Sequence, residues 1–180
     1  MKLHKFSKLA GFLSVAIIGS SLLTLGCSKD LELEQCKVNY SKDNYSEAFK
    51  FCSVAAEQGH AEAQYNLGSM YHEGEGVKRD YIKAVEWLQK AAEQGYADAQ
   101  NNLGYMYDRG QGVKQDYFKA FEWYQKAAEQ GDADAQYKLG NMFYDGHGVR
   151  QNNTKAKEYL GLACDNKYQA GCDIYKKLNQ

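Results

Sequence analysis

Residues 61–96 are written again at 97–132 with 25 of 36 positions identical, and a looser third copy occupies 133–168. A fixed period of this size constrains the fold more tightly than composition does. A segment of 36 residues cannot bury its own apolar face, so successive copies must stack, each touching only its neighbours. The expected product is an elongated solenoid whose long surface suits binding more than catalysis.

Each copy divides into two helical halves. In the second copy the first half reads ADAQNNLGYMY, with Ala97, Leu103, Met106 and Tyr107 at helical spacing, and the second half, DYFKAFEWYQKAAEQG, keeps that period. Between the halves stand GEGV, GQGV and GHGV, whose paired glycines permit a tight reversal. Asn44, Asp80, Asp116 and Asn152 share one column at the head of the second helix, where a short polar side chain accepts from first-turn amides. Gly59, Gly95 and Gly131 end the second helices in left-handed turns. The capping column extends the register back to a shortened unit aligned through Tyr45, Ala48, Ala55 and Ala56. The fold class is therefore all-α: a solenoid of antiparallel helix pairs over 31–180, with units at about 31–60, 61–96, 97–132 and 133–168 and a terminal helix at 169–180.

The N-terminus is a separate matter. Lys2, Lys5 and Lys8 precede an apolar run from Leu9 to Leu25 that ends in Gly26 and Cys27, which reads as an export signal or an uncleaved anchor. Gly26-Cys27 resembles a bacterial lipoprotein signal, in which a small residue precedes an acylated cysteine; Thr24 departs from the leucine usual three positions before it. The resemblance implies a signal peptide at 1–26, a lipid on Cys27, a short tether at 27–30 and, with Ser28 after the cysteine in a Gram-negative host, an outer-membrane location facing the periplasm.

Assigning Cys27 to lipid leaves four cysteines, an even number suited to disulfides in an oxidising compartment. Cys36 and Cys52 lie eight residues either side of Asn44, and Cys164 and Cys172 four either side of Tyr168, both expected turns. The spacing predicts bridges Cys36 with Cys52 and Cys164 with Cys172; the alternative is four free buried thiols. Both bridges fall in end units, which have one neighbour only and fray first. Without the signal the chain carries 19 basic and 23 acidic residues, interspersed along helices as solvated faces, so nucleic acid is not an expected partner.

Between the first two full copies the first helices differ at positions 2, 5, 9 and 12, which draws one stripe. Positions that join units must repeat, so the stripe is read as an exposed concave binding face. The acids at position 2, Glu62, Asp98 and Asp134, are read as favouring a helix N-terminus through the dipole. Tyr65, Ser69, His72, Asn101, Tyr105, Asp108, Tyr137, Asn141 and Tyr144 remain as candidate binding residues, rings and amides suited to an extended peptide or polar polymer. In the second helix Ile82 and Phe118, Val85 and Phe121, Leu88 and Tyr124 are read as core.

The motifs A-x-A-Q-x-x-L-G-x-M-Y, G-x-G-V, D-Y-x-K-A-x-E-W and K-A-A-E-Q-G resemble the Sel-one-like repeat, a relative of the tetratricopeptide repeat, over 61–168 fully and 31–60 in part. The resemblance implies a right-handed superhelix acting as an interaction scaffold, often exported by bacteria. The ending ACDNKYQAGC further resembles the cysteine-rich secreted branch, whose members bind penicillin and hydrolyse β-lactams weakly. That branch bridges every unit with cysteines eight apart, whereas Ala92 with Gln100 and Ala128 with Gln136 stand at those places here.

Other chemistry has thin support. The G-x-G loops lack the strand and third glycine of a dinucleotide site. His60, His72 and His147 lie outside ligand spacing of one another, so neither metal nor cofactor is expected. The glutamate columns Glu57, Glu93, Glu129 and Glu86, Glu122, Glu158 repeat because the helix repeats. With no S-x-x-K, S-D-N or K-T-G, no catalytic residue is assigned. The leading expectation is a monomeric, non-enzymatic lipoprotein scaffold for a protein, peptide or peptidoglycan. The alternatives are a penicillin-binding weak β-lactamase and a part of an envelope assembly without a discrete ligand.

Overall fold

The computed structural model describes residues 31–180; the apolar signal run and Cys27 lie outside the described residues. Nine helices are found among the described residues. A first helix, α1, covers 31–41, followed by α2 (Tyr45–Glu57), α3 (Ala61–Glu73), α4 (Tyr81–Glu93), α5 (Ala97–Arg109), α6 (Tyr117–Glu129), α7 (Ala133–Asp145), α8 (Asn153–Asp165) and α9 (Gln169–Leu178). Each packs on the next, as consecutive antiparallel pairs.

The caps follow the sequence with one exception. Asp80 accepts from the amides of Ile82 and Lys83, each at 3.1 Å, Asp116 does the same for Phe118 and Lys119, and Asn152 accepts from Lys155 at 3.0 Å. Asn44, expected to cap α2, accepts from no first-turn amide; its Nδ2 donates to Asn39 Oδ1 at 3.1 Å. The cause is the shorter connection in this unit, which reverses through Asp43 at φ 57° and leaves Asn44 at ψ 63° rather than extended.

Two glycine columns set the spacing of the helices. A Cβ on Gly104 would lie 2.8 Å from the Tyr124 ring, and Gly68 and Gly140 face Leu88 and Leu160 in the same way, so the L-G of each unit lets its two helices approach. A Cβ on Gly112, already left-handed at φ 70°, would collide with the Tyr81 carbonyl oxygen. The loop of one unit thus rests on the opening turn of the preceding unit's second helix.

The buried glutamine of A-x-A-Q joins units. Gln64, Gln100 and Gln136 donate to the carbonyls of Ala56, Ala92 and Ala128 at 3.1, 3.0 and 3.2 Å. Their Oε1 atoms accept from Gln94, Gln130 and Asn166 at 2.7, 2.8 and 2.9 Å. Each of these three side chains fastens three helices, with both its Nε2 and its Oε1 hydrogen-bonded.

Both disulfides form as the spacing predicts. Cys36 and Cys52 join α1 to α2 with Cα atoms 4.7 Å apart, and Cys164 and Cys172 join α8 to α9 at 4.5 Å. The second-helix core is narrower than expected. Val85, Leu88 and Tyr124 are buried, but Ile82 is 63% and Phe118 59% exposed. A spacing of three falls short of one helical turn by about 60° at each step, so residue 82 stands about 120° around from residue 88 and faces outward.

Candidate functional site

The stripe lies at the seam between units, which makes most of it half-buried rather than open. Ser69 is buried at 8% exposure, Tyr144 is exposed, and the other seven candidate residues lie between. Units stack closely enough for side chains to bridge them. Lys37 pairs with Glu62 at 3.4 Å, and His72 reaches Gln111 Oε1 with Nε2 at 2.9 Å while its Nδ1 meets Glu73 at 2.6 Å. The repeat therefore varies at positions that also touch the next unit, so sequence variation marked exposure imperfectly.

Position 5 of the stripe is coupled to the residue that precedes the next first helix. Tyr65 packs on Tyr96 with centroids 5.1 Å apart, and Tyr137 on Tyr168 at 5.2 Å. In the middle unit these two columns hold Asn101 and Asp132. Asn101 Nδ2 donates to Asp134 Oδ2 at 3.1 Å, and Tyr168 donates to Asp134 Oδ1 at 2.8 Å, which pushes the Tyr168 hydroxyl up to about 12. A carboxylate only accepts, so Asn101 must turn its NH2 towards Asp134 and its Oδ1 away.

The stripe residues gather in two successive hollows. The first, about 280 Å³, is lined by His72, Glu73, Leu88, Asn101, Asn102, Tyr105, Met106, Asp134 and Lys138. The second, about 350 Å³, is lined by Asp108, Arg109, Gln115, Tyr117, Tyr124, Tyr137, Lys138, Asn141, Met142, Asp145 and His147. Shifting the first lining by one repeat of 36 maps Leu88 onto Tyr124, Asn101 onto Tyr137 and Tyr105 onto Asn141. These are one repeated seam met twice, joined by Lys138, whose Nζ stands 5.9 Å from the centres of both the Tyr105 and Tyr137 rings. Of the candidate residues, His72, Asn101 and Tyr105 meet in the first hollow and Asp108, Tyr137 and Asn141 in the second. Tyr65, Ser69 and Tyr144 line neither.

Each hollow contains a buried hydrogen-bonding atom without a partner: Asn101 Oδ1 in the first and the Tyr124 hydroxyl in the second. Burial, with the carboxylates of Asp108 and Asp134 nearby, pushes the Tyr124 hydroxyl far up and keeps its proton on. Sequence reasoning missed Tyr124 and Lys138. Tyr124 was absorbed into a core column, although a hydroxyl replacing Leu88 was a signal that the column is not purely apolar. Lys138 differs from Asn102 only in the third copy, beyond the pairwise comparison that drew the stripe. Among the described residues, no group of three or more His, Cys, Asp and Glu could hold a metal ion.

The Sel1 repeat matches residues 39–60, 61–96, 97–132 and 133–168. No curated protein matches the chain. Among solved structures, a Sel1 repeat protein from Oxalobacter formigenes is 34% identical with a TM-score of 0.76, over 81% of this chain and 62% of its own. The protective antigen c5321 of uropathogenic Escherichia coli, which displays an SLR fold, is 36% identical with a TM-score of 0.77, over 85% of this chain and 34% of its own. The chain therefore spans less than two thirds of the length of either. Cysteine rich protein B of Helicobacter pylori is 27% identical with a TM-score of 0.58, over 73% of this chain and 94% of its own.

Proposed function

The chain belongs to the Sel1 repeat family, and from that premise we propose that this scaffold holds an extended segment of a partner protein along the two hollows between its second, third and fourth units, while exported and lipid-anchored through Cys27. The observation that carries the reading is the pair of buried, unpartnered polar atoms in successive copies of one seam, Asn101 Oδ1 and the Tyr124 hydroxyl. A buried group left without a partner costs about 1–3 kcal/mol, which a bound chain offering one N–H and one carbonyl would recover. An extended polypeptide offers both groups at every residue and advances about 3.3 Å per residue, so a short stretch reaches from one hollow to the next. Tyr105 and Tyr137 add contact area at low entropic cost.

Two disulfides and the similarity to a cysteine-rich relative support an oxidising, exported location. Anchoring rests on Gly26-Cys27 alone. A photo-crosslinking side chain placed at Tyr105 or Asn141 in the full chain, expressed in a bacterial envelope, tests the face. Discrete protein adducts are expected from these sites and none from Glu86 on the exposed side of α4. Equal labelling from all three sites would sink the assigned face. Replacing Cys27 with Ser should release the protein from the membrane fraction.

A further inference from the structure

The two hollows share a backbone plan but not a chemistry, and apart from His72, which becomes Asp108, the polar differences add donors to the second. From the first to the second, Leu88 becomes Tyr124, Asn102 becomes Lys138, Glu73 becomes Arg109 and Tyr105 becomes Asn141. At the first, second and third of these places a cation or hydroxyl donor replaces an apolar, neutral or acidic group, and at the fourth an amide replaces a phenol. We propose that the second hollow is a carboxylate subsite, taking the C-terminal carboxylate or an acidic side chain of the segment bound along the seam. This rests on the reading given above for the whole stripe.

The floor of this hollow is Tyr124, 1% exposed, with a hydroxyl that meets no partner in the protein. Its neighbouring donor, the Lys138 ammonium, is also poorly engaged. The nearest carboxylate oxygen, on Asp134, is 4.0 Å away and is already taken by the Tyr168 hydroxyl at 2.8 Å. Lys138 Nζ instead stands 5.9 Å from two ring centres, and a charge so placed gains from an acceptor of opposite sign at hydrogen-bond distance. Two acids also line the hollow and work against an anion. Asp108 is paired with Arg109 at 3.7 Å, and Asp145 is exposed at the rim. A carboxylate at the floor has the Tyr124 hydroxyl and the Lys138 ammonium to meet, against the charges of Asp108 and Asp134, which both act on that hydroxyl, and with Arg109 offsetting them. The first hollow shares Lys138 but is floored by Leu88 and fronted by Glu73, so it lacks the hydroxyl.

The test is an NMR titration of the oxidised protein with three probes: acetyl-Gly-Gly-Gly with a free carboxylate, the same peptide amidated, and amidated acetyl-Gly-Glu-Gly. The expected result is that a carboxylate-bearing probe shifts the resonances of Tyr124, Lys138 and Asn141, that amidation weakens this by about tenfold, and that Tyr124→Phe and Lys138→Asn each do the same. The Phe variant removes only an unpartnered hydroxyl, so folding is retained, and its thermal melt checks this. Whichever of the two carboxylate probes binds tighter identifies the source of the acid. Equal shifts at Asn101, Tyr105 and Tyr124 from all three probes, unchanged in both variants, would overturn the carboxylate subsite while leaving the stripe as a peptide surface. An absence of shifts anywhere along the seam would overturn both.

Discussion

At the second and third interior junctions, Gln100 donates to the Ala92 carbonyl at 3.0 Å and Gln136 to that of Ala128 at 3.2 Å. One repeat later the same two columns hold Cys172 and Cys164, covalently joined. An interior glutamine works because its helix sits between the preceding unit and the second helix of its own unit. Its NH2 is spent on the preceding helix, and its Oε1 is satisfied by Gln130 or Asn166 from the end of its own unit's second helix. At the junction of α8 and α9 no second helix follows α9 among the described residues, and the two columns are joined covalently instead. A glutamine there would keep half its hydrogen bonds, whereas a disulfide needs no third helix. The other end shows the same logic on a different contact. Cys52 stands in the column of Leu88, Tyr124 and Leu160, and Cys36, counted back from the end of its helix, occupies the place of Gly68. The bridge replaces the glycine-on-large-side-chain crossing that later units use.

This contrast predicts that the ends depend on oxidation and the middle does not. Replacing Cys36 and Cys52 with Ser should cost about 3 kcal/mol, with slightly less for the shorter ring closed by Cys164 and Cys172. Hydrogen exchange should show the loss confined to the end unit that was altered, with α4 to α7 protected as before. A uniform loss of protection would break the comparison by making the whole solenoid one cooperative unit. Exposure sharpens it further. Cys36 and Cys52 are fully buried while Cys164 and Cys172 are partly exposed, so mild reductant should open the C-terminal bridge first.

In the middle, Gln100→Leu should cost about 1 kcal/mol, because it removes two hydrogen bonds whose other members are not stranded: the Ala92 carbonyl keeps the Gly95 amide at 3.0 Å, and the exposed Gln130 amide keeps the Lys126 carbonyl and water. The double replacement Ala92→Cys with Gln100→Cys should oxidise spontaneously and restore stability to within about 1 kcal/mol of the parent, read from urea melts. Failure of that pair to close would mean that the two junctions differ in backbone geometry as well as in chemistry.

The repeat period, the helix pairs, both disulfides and the terminal helix were legible because each is written in spacing along the chain. The cap at Asn44 was not, since the column matched while the loop before it was shorter. Ile82 and Phe118 are apolar like their neighbours in the pattern, but a spacing of three does not stay on one helical face, so both point outward. The site was legible only in outline. A stripe drawn from differences finds Asn101, Tyr105 and Asn141, but whether a position is open or lies at a seam depends on how units stack. For the same reason Tyr124 and Lys138 became visible only when two hollows could be superposed.

The smallest effect concerns a carboxyl in the middle of the molecule that burial works against. Asp132 stands in the column occupied by Tyr96 and Tyr168, and it caps α7 by accepting from the Ala135 amide at 2.7 Å. Burial holds its carboxyl above the usual carboxylate range, the capping hydrogen bond works against that, and the nearby charges of Asp134 and Asp98 add to it. An acid raised in the folded state costs stability wherever it is ionised, and that cost disappears as the pH falls through its folded value towards the unfolded one. Asp132→Asn keeps a side-chain acceptor for the cap and removes the charge. The variant should therefore melt slightly higher than the parent at pH 7, and the two should converge below the usual carboxylate range. A gain that persists unchanged at pH 3 would show that the benefit came from packing against the seam rather than from relief of a buried charge.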